Sequence, residues 1–128
     1  MHVSELSTNP LFSPLSKRQL ELVARHADET TLKAGSVIMS QGEMAREVCI
    51  VLDGSVRVTA DGRTIADLGP GEVFGEMGVV TGEHRNATVT ATTDVRLIVM
   101  FGPEFSGVAE EIDEIKQGIA AIIARRSA

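Results

Sequence analysis

The chain contains no tryptophan and no tyrosine, and four phenylalanines are its only aromatic residues. Any planar group it holds must therefore rest on aliphatic contact and edge hydrogen bonds. A single cysteine, Cys49, excludes an internal disulfide and fits a reducing compartment. The histidines, His2, His26 and His84, share no metal-ligand spacing, so no metal site is expected. No apolar run approaches the ~18 residues needed to cross a membrane. The N-terminal MHVSELSTNP also lacks the basic, apolar and small-residue order of a signal peptide. The simplest reading is cytoplasmic. Basic residues are few, 12 Lys and Arg against 18 Asp and Glu for a net charge of −6, and they are scattered. Without a basic patch, no direct nucleic-acid binding is expected. No nucleophile stands paired with a base, which argues against an enzyme.

What is present is a globular composition, 43% hydrophobic over 128 residues, and the expectation is one domain over residues 1–128. In LSKRQL, Ser16 and Gln19 form a capping box, with Leu15 and Leu20 at the spacing of a hydrophobic staple. This predicts a helix over about 16–27. From about 30 to 100 the sequence changes to short β-rich runs, TTLK, SVIMS, VCIVLD, SVRVTA, RTIADL, EVF, ATVTAT and VRLIVM, separated by turn residues. Asp61-Gly62 between two of them is the preferred two-residue hairpin turn. Even spacing of strand-sized runs points to a mainly β roll, closed or double-sheeted.

After Phe101-Gly102-Pro103 the period changes again. Val108, Ile112, Ile115, Ile119 and Ile122 recur at spacings of 4, 3, 4 and 3, which predicts a helical stripe within about 103–126. Glu110, Glu111, Asp113 and Glu114 would lie early in this helix and Arg125 and Arg126 late, as the helix dipole favours.

The stretch with most chemistry is FGEMGVVTGEHRNATV, residues 74–89. Gly75-Glu76-Met77-Gly78 follows the end of a strand, and a short helical turn there would aim N–H groups at a small anion. Arg85, ten residues beyond Gly75, would return to supply a bidentate donor pair. Glu76 has no use for an anion and calls instead for hydroxyl donors. Together the two charges suit a ligand bearing both a phosphate and a hydroxyl.

This segment resembles the phosphate-binding cassette of the cyclic nucleotide-binding domain family. Its pattern is met by Phe74, Gly75, Glu76, Met77, Gly78, Val79, Arg85 and Ala87. Gly35, Gly42-Glu43, VCIVLDG and LGPGEVFGE extend the likeness to about residues 10–126. The resemblance implies a β-roll (a double-stranded β-helix, jelly-roll-like) with an N-terminal helix, a short cassette helix and a C-terminal helix. It implies no cofactor and a cyclic nucleotide ligand, cAMP ahead of cGMP. Glu76 would accept from the ribose 2′-hydroxyl and Arg85 would pair with the cyclic phosphate. Gly75, Met77, Gly78, Asn86 and Ala87 would line the site through backbone groups, and Val56 and Val58 would give apolar contact to sugar and base. Asn86 stands where the family usually has Ala, Ser or Thr, and Cys49 where an aromatic is frequent.

Plainer readings stand beside these. Glu76 and Arg85 could form a structural ion pair, His84 a solvated loop residue and Cys49 inert core. The stripe could pack on the chain's own roll, pair with a second copy as a homodimer through residues 108–122, or cap the base, with Gln117, Arg125 or Arg126 in reach. Phe101 and Phe105 read as a hydrophobic latch to the roll. The leading expectation is a cyclic nucleotide sensor. Its cassette, Gly75 to Val80, would move on binding and reposition residues 101–126 toward an effector protein not named by the sequence. The alternative is a ligand-free roll that dimerises through its C-terminal helix. The sequence stops at Ser127-Ala128 just after the stripe, with nothing resembling a DNA-reading helix-turn-helix, so the output is expected to pass to another protein, the chain's own oligomer or a further domain.

Overall fold

The computed structural model describes residues 6–76 and 84–127. Helix α1 spans Lys17–His26, and its capping box is formed: the Ser16 side chain accepts from Gln19 N, and the Gln19 side chain accepts from Ser16 N. Leu15 and Leu20 are both buried, as a staple requires. Eight strands follow among the described residues: β1 Asp28–Leu32, β2 Val37–Met39, β3 Glu47–Asp53, β4 Val56–Ala60, β5 Arg63–Leu68, β6 Val73–Phe74, β7 Thr88–Ala91 and β8 Val95–Phe101. They form two antiparallel four-stranded sheets, ordered β1-β8-β3-β6 and β2-β7-β4-β5. The β4–β5 hairpin turns at Asp61 and Gly62, with φ of 52° and 78°, the pair of positive values a type I′ turn demands.

Alternation along the strands separates two cores. On β3, Cys49 and Val51 face the inside of the roll, where they meet Met39, Val56, Phe74 and Val89. Val48 and Ile50 face outward onto the helices, as do Ile98 and Met100 of β8. The outer face of the first sheet is thus covered, and the roll interior lies between the sheets.

The C-terminal stripe departs from its expected form. It is not one helix: α2 runs Gly102–Glu111 and α3 Asp113–Ser127, broken at Ile112, whose φ of −118° and ψ of 101° are extended. Glu110 and Glu111 therefore close the first helix instead of opening a long one, while Asp113 and Glu114 start the second, where the dipole favours them. The bend lets Val108, Ile112, Ile115 and Ile119 all be buried in the chain's own outer core, so these four side chains are committed within one chain. The latch is also only half formed. Phe105 is 2% exposed in that core, whereas Phe101, at the N-cap of α2, is 52% exposed. Of the expected cassette, Gly75 to Val80, only Gly75 and Glu76 are among the described residues, so its helical turn lies outside them from Met77 on. No described helix is long and apolar enough to cross a membrane.

Candidate functional site

Strand β6 stops at Phe74 because Gly75 takes φ of 86° and turns the chain away from β3. Only glycine fits there. A Cβ would meet Met39 Cε at 2.7 Å, the Glu47 carbonyl at 2.8 Å and Arg85 Nη1 at 2.9 Å. The next residue, Glu76, is wholly buried.

Arg85 is 8% exposed, and its surroundings explain how a guanidinium survives there. Nη1 donates to the Gly75 carbonyl at 2.7 Å and Nη2 to the Glu47 carbonyl at 2.6 Å. Its backbone is held as well: Arg85 N donates to Glu43 O at 2.7 Å, and Gly42 N donates to Arg85 O at 2.8 Å. A bridge between Met44 and His84 extends this grip. The loop between β2 and β3 thus clamps Arg85 in place. Burial pulls its pKa down, and Cys49 with the carboxylates of Glu47, Glu76 and Glu43 pulls it back up. The group stays cationic, and the carbonyl oxygens share its charge.

Beside it opens a cavity of about 380 Å³ lined by Ile38, Met39, Glu43, Met44, Arg46, Glu47 and Arg85. That volume lies in the small-ligand range of ~300–1,000 Å³. The expected site residues divide around it. Gly75 and Arg85 are in contact, and Glu76 is near enough to act on the Arg85 charge. Phe74 and Val56 share the roll core with Met39, and half-buried Val58 packs against it. Neither valine is among the residues that line this cavity. Ala87 is half-buried and Asn86 exposed. Met77 and Gly78 lie outside the described residues. His84 is exposed, as a solvated loop histidine would be. Cys49 is buried against Phe74 and Val99 in the strand register, and burial first, then Glu47, pushes its thiol up to about 12. It is inert at neutral pH.

Sequence reasoning missed Met39, Glu43 and Glu47. Two of them serve through main-chain carbonyls, which every residue carries, and only the Gly42-Glu43 pair marked the loop. No cluster of metal-ligating side chains occurs among the described residues.

Comparison with known proteins bears on the same residues. The profile of the cyclic nucleotide-binding domain family matches residues 29–111. The chain is 36% identical over 108 residues to a cyclic nucleotide-gated potassium channel of Mesorhizobium japonicum, covering 84% of this chain and 30% of the channel. To the cyclic AMP receptor protein of Thermus thermophilus it is 29% identical over 123 residues, 92% of this chain and 57% of the relative. The crystal structure of Thermus thermophilus catabolite activator protein superposes with a TM-score of 0.83 at 30% identity, covering 92% of this chain and 58% of that one. The chain therefore spans less than two thirds of each of these proteins. On the family profile, the two-sheet roll and the glycine, carboxylate and guanidinium at the end of β6, this chain belongs to the cyclic nucleotide-binding domain family.

Proposed function

We propose that the chain is a cytoplasmic regulatory module that binds a cyclic nucleotide, cAMP in preference to cGMP, performs no chemistry of its own and passes the binding event to α2 and α3. The observation that carries this reading is Arg85, a guanidinium held almost out of water at the wall of a cavity beside the fully buried Glu76. A purely structural residue would not require so costly a charge at that place. A cyclic phosphate would compete with the carbonyl oxygens for the guanidinium donors, and a ribose hydroxyl would donate to Glu76. The backbone of Gly75, Met77, Gly78, Asn86 and Ala87 would line the sugar-phosphate, with Phe74, Val56 and Val58 as apolar wall. Support for cAMP comes from the Thermus relative, a cyclic AMP receptor protein.

Isothermal titration of nucleotide-stripped protein with cAMP, cGMP and 5′-AMP tests the reading, with Arg85→Ala in parallel. Saturable binding of cAMP that the variant loses is the expected result. A folded, ligand-free sample that gives no heat with either cyclic nucleotide would refute it.

A further inference from the structure

The start of β3 lies between the ligand-site arginine and the start of the C-terminal helices. Consecutive carbonyls of a strand point to opposite neighbours. On one side β3 pairs with β8 in the register Glu47↔Phe101, and the next step of that ladder is Gly102 N donating to Arg46 O at 2.6 Å. On the other side β3 pairs with β6 only as far as Cys49↔Phe74, because Gly75 turns away. The Glu47 carbonyl is left beyond the end of that ladder, and Arg85 Nη2 fills the missing place while Nη1 holds Gly75 O. One main-chain segment, Arg46-Glu47, therefore takes a bond from Arg85 through one carbonyl and from Gly102 through the next.

The Gly102 bond matters to α2. The first N–H groups of a helix have no intrahelical partner. Phe101 at the N-cap gives no side-chain hydrogen bond, and Pro103 has no N–H to offer. The Arg46 carbonyl accordingly anchors the helix start.

We infer that Arg46-Glu47 is the relay between ligand and helices: an anion that draws the Arg85 guanidinium off the Glu47 carbonyl loosens this segment and, through Arg46 O, the N-terminus of α2. This rests on the cyclic nucleotide reading of Arg85 and specifies how that site would be coupled to output. Gly102 is then a positioning residue, acting through its N–H and not through ligand contact. Coupling is reciprocal, so weakening the Gly102 anchor must also ease ligand binding.

The test is amide exchange by NMR on the full chain, stripped of nucleotide and then saturated with cAMP or cGMP. The expected result is that the Arg85 side-chain resonances shift and the Gly102 amide exchanges faster by about tenfold or more, the scale of ordinary coupling between sites. Gly102→Pro removes the N–H and adds a ring at a position where helices accept proline, whereas Gly102→Ala adds a methyl and keeps the N–H. Gly102→Pro should bind nucleotide about fivefold or more tightly and Gly102→Ala within about twofold of the parent, whereas a merely structural bond would lower Tm without moving affinity. Arg85 shifts with unchanged Gly102 exchange would overturn the relay alone. No Arg85 shift with either nucleotide would overturn the sensor reading and the relay with it. Should Gly102→Pro fail to fold, the exchange of the parent protein still decides.

Discussion

Gly75 tolerates no side chain, because its positive φ and three contacts under 3 Å act together. Gly75→Ala is expected to cost about 2–4 kcal/mol, from left-handed strain and forced repacking, and a thermal or urea melt would show it. Arg85→Ala has two effects that must be measured separately. It removes the proposed phosphate donor, and it leaves the Gly75 and Glu47 carbonyls without their partner, costing about 1–3 kcal/mol even with no nucleotide present. Arg85→Lys keeps the charge but offers one nitrogen in place of the planar fork that meets the two oxygens, so it should recover less than half of that loss. Cys49 gives a pH signature. Its thiol is raised in the fold from 9.0 to about 12, so its stabilisation is complete below pH 9 and fades as pH climbs toward 12, because the unfolded thiol ionises first. Denaturant melts of Cys49→Ala should show a flatter alkaline limb between those pH values than the parent, and no tyrosine titrates there to obscure it.

Among the elements, the clearest contrast is between the two phenylalanines that flank the start of α2. Phe105→Ala should cost about 3–5 kcal/mol as a core truncation, and Phe101→Ala less than about 1, because half its surface is already in water. Equal losses in equilibrium unfolding would contradict the packing described. The element level also shows what could be read in advance. RTIADL became β5 with unchanged bounds, Ser16 and Gln19 formed their box, and Asp61-Gly62 turned as its chemistry requires. These are local signals, carried by neighbouring residues. The break at Ile112 was not legible, since a 4-3-4 spacing is the same for one straight helix and for two bent ones. What decides is the curved outer core beneath, built from β3, β8 and the N-terminal segment. The partners of Arg85 were hidden for a different reason: the sequence names side chains, and the acceptors are backbone oxygens 10 and 38 residues away.

For the whole molecule, Val108, Ile112, Ile115 and Ile119, four of the five stripe positions, are buried within one chain and are not turned toward a second copy. Sedimentation of the ligand-free chain is expected to give a monomer, and a dimer that Ile115→Ala dissociates would show that the stripe is shared after all. The two cores also divide the labour. The roll interior, with Phe74, Val56 and Met39, supports the candidate ligand site, and the outer core carries α2 and α3. β3 serves both, its odd residues facing one and its even residues the other.

The burial of Cys49 also makes the protein convenient to instrument. Its only thiol lies in the roll core, so the native sequence already behaves toward maleimides as if it had none. Ala121→Cys, on an exposed position of α3, would place a single fluorophore or spin label there with no background site to remove, and the proposed response of the helix to nucleotide could be tested in the otherwise unaltered chain.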